Sequence, residues 1–264
     1  NNLTIDQIIS EVAHTNPNYD FTTTDKINHT LWVINDTKTV EIINRQFETI
    51  PSIYIADGHH RSASSALLGN IRRKTKKDFT GNEAFNYYLG IFFSESQLKI
   101  YDYNRIVKDL NHLSATELIE KLKEKFYVKS ILTDLFKPTA KHEFSMYLNN
   151  KWYSLIAKQN TFNNLDVVES LDSFILTEHI LSPIFGIHDL KTDKRIDFIP
   201  GIKGPEALKK IVDDHKAAIA FGLFPVTMDH LKWIADTNNI MPPKSTWVEP
   251  KMRSGLIIYS FGED

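Results

Sequence analysis

Cysteine is absent from the 264 residues of this chain. Its absence excludes disulfides, thiolate chemistry and cysteine-based zinc sites. Long apolar runs are missing as well. No stretch approaches the roughly 18 consecutive apolar residues of a membrane span, and no secretory signal is visible. A basic excess is also lacking: the net charge is −2 and the pI is near 6.6. Nucleic-acid binders carry a strong positive balance, so nucleic acid is not expected as a partner. A cytoplasmic protein is expected, with no membrane partner. Association into a homo-oligomer is left open. Internal repeats and low-complexity tracts are absent. What the chain does have is 42% hydrophobic and 24% charged residues, an ordinary globular balance. At this length it can bury a proper core, as one large domain or two packed ones.

The most informative stretch is residues 52–66, SIYIADGHHRSASSA. Ile53 and Ile55 alternate with Tyr54 and Ala56, which predicts a short strand. Asp57-Gly58 breaks it, and a helix of small residues is expected from Arg61 onward. The free N–H groups of a helix start and the positive end of its dipole favour an anion at such a turn. His59, His60 and Arg61 add side-chain donors at the same place. Phosphate is the expected anion. Gly58 suits either positive φ or close approach of phosphate to the backbone, and Arg61 suits a pair of phosphate oxygens. Ser62 adds a hydroxyl. The blander reading is a structural turn in which Asp57 caps the helix and the histidines satisfy local carbonyls.

Asp57-Gly58-His59-His60-Arg61 resembles the signature of the ParB/sulfiredoxin superfamily, and most of all its free-serine-kinase branch. The whole chain also resembles a prokaryotic family known as domain of unknown function 1015, whose members are often called SpoOJ/ParA/ParB/RepB-like. Three further stretches carry that similarity: residues 171–187 (LDSFILTEHILSPIFGI), residues 197–201 (DFIPG) and residues 241–256 (MPPKSTWVEPKMRSGL). Members usually carry a further N-terminal portion, and this chain begins at Asn1, so a fragment is expected. The branches differ in detail. Sulfiredoxin-like turns read Gly-Cys-His-Arg, but His59 stands at the cysteine position. ParB-like turns read Gly-Glu-Arg-Arg-x-Arg-Ala. Here Gly58 and Arg61 are kept, while His59, His60 and Ala63 replace Glu, Arg and the second Arg. The serine-kinase pattern is matched at all five positions.

The resemblance implies a ParB/sulfiredoxin-like core in an α/β or α+β fold, with an additional C-terminal α+β region. The expected division is 1–110, carrying the turn, and 111–264. It also implies a nucleotide-dependent phosphotransferase that binds ATP or ADP with Mg²⁺ and phosphorylates a small hydroxyl substrate. The alternative is a ParB-like nucleotide- or DNA-binding regulatory module without catalysis. Candidate catalytic residues are Asp57, His59 and His60. Gly58, His59, His60, Arg61 and Ser62 are the candidate nucleotide contacts. Asp57 is assigned either to Mg²⁺ between phosphates or to proton transfer and histidine orientation. A zinc or iron site from Asp57, His59 and a distant histidine is a third option.

A second cluster is Lys244, Ser245 and Thr246, with Lys251 and Arg253, on a loop stiffened by Pro242, Pro243 and Pro250. It is either a phosphate-closing loop or a solvated connection. Tyr101-Asp102-Tyr103-Asn104-Arg105 stands where relatives tend to have Pro-Thr-His-Arg, so Arg105 is kept and Asn104 replaces the histidine. Glu178 and His179 read as a surface or half-buried pair. The basic run Arg72, Arg73, Lys74, Lys76 and Lys77 reads as a helix end whose cations complement the dipole, with DNA contact as the lesser alternative.

Local signals set the expected elements. A Thr4/Gln7 capping box opens a first helix, and Asp36 caps a second. Residues 84–93 and 98–107 read as a hairpin. Ser114 and Glu117 form a capping box, with Leu118, Leu122 and Phe126 inward. Asn149-Asn150 turns a second hairpin. Gly204-Pro205 opens a helix, residues 217–223 a buried strand, Thr227 another helix, and residues 256–261 a closing strand.

Overall fold

The computed structural model describes residues 2–76, 78 and 80–261. It is a mixed α/β structure that divides into two compact units, Asn1–Leu98 with Met252–Asp264, and Lys99–Lys251. No helix among the described residues is long and apolar enough to cross a membrane.

The first unit holds α1 (Leu3–Ala13), the hairpin β1 (Tyr19–Thr22) and β2 (Asn28–Leu31), α2 (Thr37–Glu48) and α3 (His59–Thr75). Helix α1 is capped by Asn2, whose Oδ1 accepts from the N–H groups of Thr4 and Ile5, so the expected Thr4/Gln7 box is corrected by one turn edge. Asp36 caps α2 as expected, accepting from Thr39 N–H at 2.8 Å. Residues 51–56 form no strand, and neither do 256–261. A strand needs a ladder partner, and β1 and β2 pair only with each other. Residues 84–93 are likewise not a hairpin arm: Ala84–Asn86 is a single 3₁₀ turn and no strand follows it. Among the described residues of this unit only Ile5, Gly69 and Phe85 are buried.

The second unit is built on one sheet. In chain order it contains β3 (Lys99–Tyr101), β4 (Tyr103–Val107), α4 (Ala115–Lys125), β5 (Phe126–Ile131), β6 (Glu143–Leu148), β7 (Lys151–Ala157) and α5 (Asp172–Leu176). A π-helical turn, Thr177–Leu181, extends α5. Then come β8 (Ile196–Pro200), α6 (Gly204–Asp213), β9 (Ile219–Gly222), α7 (Met228–Asp236) and β10 (Trp247–Glu249). Six strands form an antiparallel sheet in the order β5-β7-β6-β9-β4-β8. β3 pairs with β10 instead, Trp247 opposite Tyr101, a long-range pairing no local signal announces. The β6–β7 turn is Asn149-Asn150, with φ of 47° and 60°. Asn tolerates this left-handed backbone, and two such residues match the twist of a hairpin.

Register decides what each face of the sheet does. Ile106 lies opposite Ala220, Ala220 opposite Tyr147, and Tyr147 opposite Trp152. On that face α6 packs Leu208 and Val212, and Tyr147 OH donates to Asp213 on the same helix at 2.8 Å. The neighbouring residues point to the other face, since side chains alternate. There Val107, Phe144, Met146, Leu155, Ile219 and Phe221 pack on Leu118 and Leu122 of α4 and on Ile175 to Phe185 of the α5 region. Ser114 and Glu117 make the expected reciprocal capping box for α4. Leu122 is fully buried in this cluster. Leu122→Ala is therefore expected to lose about 2–5 kcal/mol in urea unfolding, the range for an aliphatic truncation that leaves a cavity.

Candidate functional site

The candidate turn sits at the start of α3. Gly58 is its N-cap residue with φ of 84°, the left-handed backbone that glycine adopts without strain. Asp57 Oδ1 accepts from the Gly58 N–H at 2.8 Å, tightening the turn. No side chain caps α3. Its first internal bond is Ser62 N–H to Gly58 C=O at 2.9 Å. The N–H groups of His59, His60 and Arg61 therefore have no carbonyl within the helix to meet. These three side chains are exposed, and Ser62 is half-buried. The Arg61 guanidinium folds back over the turn: a Cβ added at Gly58 would lie 3.2 Å from its Nη2. Five successive residues thus present main-chain donors, a guanidinium and two imidazoles in one exposed place. That arrangement can hold a phosphate. Among the described residues no three His, Asp or Glu side chains converge as a metal site, which leaves the zinc or iron option without a third ligand there.

The remaining sequence candidates have distinct settings. Lys244, Ser245 and Thr246 belong to the second unit. Lys244 has φ of 57°, and its Nζ stands 5.5 Å from the Tyr103 ring centroid. Ser245 is buried, donates to Pro242 C=O at 2.7 Å and lies 2.9 Å from Ser173 Oγ, so its hydroxyl ties the loop to α5. Thr246 is half-buried. His179 is half-buried, with Nε2 at 2.8 Å from Thr161 C=O, and Glu178 is exposed. In the basic run, Arg72 donates to Phe261 C=O at 2.9 Å and Arg73 to Asn86 Oδ1 at 2.6 Å. Arg72 and Lys76 both face the Phe85 ring. These cations tie down the end of α3. Lys77 lies outside the described residues.

Two charged groups stand out that spacing alone did not single out. Arg105 is 0% exposed, on the face packed with Val107 and Phe221. It donates to Tyr103 C=O and faces the Phe198 ring at 5.2 Å, while among the described residues its Nε and Nη2 have no hydrogen-bond partner. Burial lowers its guanidinium to about 10, which still leaves it charged at neutral pH. A buried cation with no carboxylate partner carries a large desolvation penalty. The second group is Asp172, also buried, which accepts from His142 N–H at 2.9 Å; Oδ2 has no well-aligned hydrogen-bond partner among the described residues, although the Phe224 N–H also pulls its carboxyl down. Burial pushes its carboxyl up to about 7, against the pull of the His142 N–H and the Lys141 charge. His142 and His230 nearby are both lowered, chiefly by burial, with Lys141 adding repulsion. An acidic or basic residue inside an otherwise apolar run is the sequence signal for both groups.

Two outcomes follow. Arg105→Met is expected to raise stability by about 1–3 kcal/mol in urea unfolding, after the lost bond to Tyr103 offsets part of the gain. A fall would mean that the charge is compensated. For Asp172 the folded pKa lies above the ordinary 3.8. Its contribution is therefore fully present below about pH 4 and lost as pH rises through about 7. Asp172→Asn should match the parent near pH 4 and overtake it in melting temperature by pH 8. The two lowered histidines are common to both proteins and cancel in that difference.

Comparison with solved structures gives coarse likenesses. A free serine kinase in complex with AMP is 14% identical, with 82% of this chain and 81% of that chain covered and a TM-score of 0.40. A mutant free serine kinase, also with AMP, is 17% identical over 74% of this chain and 67% of that one, at 0.38. A conserved hypothetical protein from Pyrococcus furiosus is 16% identical over 76% and 73%, at 0.39. None of the curated proteins matches. The model of the family described as protein of unknown function (DUF1015) matches residues 1–174, about two thirds of the chain, and the chain belongs to that family.

Proposed function

We propose that this protein binds the phosphates of an adenine nucleotide at Gly58–Arg61 and transfers a phosphoryl group to a small hydroxyl substrate. The observation that carries the reading is the uncapped start of α3. Left-handed Gly58, three unbonded main-chain N–H groups and the exposed His59, His60 and Arg61 share one turn. The matched Asp-Gly-His-His-Arg pattern gives that turn its resemblance to the serine-kinase branch. In the proposed reaction the acceptor oxygen attacks the terminal phosphorus, the bond to the nucleotide's bridging oxygen breaks, and the hydroxyl proton leaves to a base. Arg61 and the imidazoles stabilise the charge that spreads over the transferring group. Asp57 is the carboxylate at the turn. It serves either as that base or as a ligand to Mg²⁺. The described residues offer no metal cage of their own, so the ion would be held chiefly by phosphate oxygens, with Asp57 as its protein contact. Bound there, it would neutralise phosphate charge.

The second reading, a nucleotide-binding regulator without catalysis, uses the same turn. Calorimetry with ATP, ADP and CTP separates them. We expect adenine nucleotides to be preferred, and their consumption to rise with added free serine. Preference for CTP without phosphoryl transfer would replace the kinase reading by the regulatory one. Arg61→Ala is expected to weaken nucleotide binding by about tenfold, the loss of one charge-assisted phosphate contact. Unchanged affinity in that variant would remove the turn from the site altogether.

A further inference from the structure

Beside α6, the sheet of the second unit changes character by one row. Ile106, Ala220 and Tyr147 carry the helix. Two residues along each strand, on the same face, stand Asn104, Gly222 and Ser145. Gly222 lies opposite Ser145. A Cβ built at Gly222 would collide with Ser145 Oγ and lie 3.6 Å from Asn104 Oδ1. Both side chains therefore border one small gap, close enough together to share a water. Asp102 and Leu208 border it too, and the gap holds about 10 Å³. That is the room one water molecule takes, and no larger ligand fits.

The polar groups around the gap are buried and short of partners. Ser145 is 1% exposed, and its Oγ makes no hydrogen bond among the described residues. Asn104 is buried, and its Oδ1 accepts from Leu223 N–H at 2.9 Å. That bond fixes the amide orientation and leaves Nδ2 as a donor. Asp102 is 3% exposed. Lys137 Nζ lies 2.9 Å from Asp102 Oδ1, close enough to pair charges but misaligned for a hydrogen bond. Among the described residues that oxygen therefore keeps an unfilled lone-pair direction. Gly201 is what admits this carboxylate, since a Cβ there would collide with Asp102 Cγ. A charged acceptor and two neutral groups thus meet at one gap, and each is costly to bury unbonded.

We propose that this gap is a binding site for a single water molecule, which bridges Asp102, Asn104 and Ser145 as a fixed part of the structure. The water donates to Asp102 Oδ1 and accepts from Asn104 Nδ2. Ser145 Oγ, which can donate or accept, takes a third direction. Three partners is the usual number for a buried water. The mixed set of groups decides between occupants of this size. An ammonium or metal cation has no lone pair to accept from the Asn104 amide, and chloride would face the Asp102 carboxylate. Water serves both. The bridge ties β4, through Asn104, to β6, through Ser145, across the one position of β9 that carries no side chain. It also gives Asp102 the aligned donor that Lys137 does not supply. The inference is independent of the phosphate turn, because it requires no nucleotide.

The test is a high-resolution crystal structure of the full chain, joined to a count of its long-lived internal waters by water-oxygen relaxation dispersion in solution. We expect one fully occupied water within hydrogen-bond distance of Asp102 Oδ1, Asn104 Nδ2 and Ser145 Oγ. The double variant Ser145→Ala, Gly222→Ala removes the hydroxyl and puts a methyl group in its space. It should hold one long-lived water fewer than the parent and melt a few degrees lower, because Asp102 and Asn104 lose their shared partner. Should that variant not fold, the parent's crystal structure decides alone. The proposal is overturned if the map shows no water between the three groups, if an ion or a side chain fills the gap instead, or if the folded double variant keeps the parent's number of long-lived waters.

Discussion

The second unit depends on the burial of β4 on both faces. All five residues from Tyr103 to Val107 are buried, with β8 on one edge and β9 on the other. A strand so enclosed has no solvent side on which to place polar groups. Asn104 and Arg105, adjacent in sequence, are sent to opposite faces and must each find partners in protein. Asn104 does so by accepting from Leu223 N–H. Arg105 finds a carbonyl and an aromatic ring but no carboxylate. Asp102, just outside the strand, meets Lys137 across the first face. It cannot reach Arg105, because the sheet separates them. A polar row and an isolated cation thus follow from one register.

Where the sequence could be read directly, the information was local. Asp36, Ser114 and Thr227 accept from the N–H three residues on, and the two asparagines at 149 and 150 sit in left-handed backbone. Each of those features is settled within four residues, so composition and spacing suffice. The errors share a different cause. Residues 84–93 and 256–261 have strand-like composition, but composition does not supply a ladder partner. β3 takes its partner from β10, nearly 150 positions away in the chain, rather than from a neighbouring segment. Asp102, Arg105 and Asp172 could be noticed as charges within apolar runs, but what each one meets depends on register and on helix placement.

The first unit shows the reverse balance. Its candidate turn shows in the sequence as a motif, and the left-handed backbone at Gly58 is one of the two reasons for a glycine there that the sequence allows. Its packing does not show there. Ile53 and Ile55 carry the alternation that predicts a short strand, yet they are 58% and 47% exposed. An alternating pattern reports which residues would be buried if a neighbouring strand were present, and among the described residues of this unit none pairs with them. The turn therefore follows a segment that no sheet holds among the described residues.

This contrast sets the electrostatics of the polar groups in the two units. At the α3 turn the histidines and Arg61 are exposed, so solvent screens each contact and no single one is strong. Affinity there must come from number: several main-chain donors, a planar guanidinium and two imidazoles acting on a ligand with many charged oxygens. Beside α6 the polar groups Asp102, Asn104 and Ser145 are few and buried, so each hydrogen bond or ion pair made there counts for more. An exposed turn rich in donors suits polyphosphate, whose charge is large and spread out.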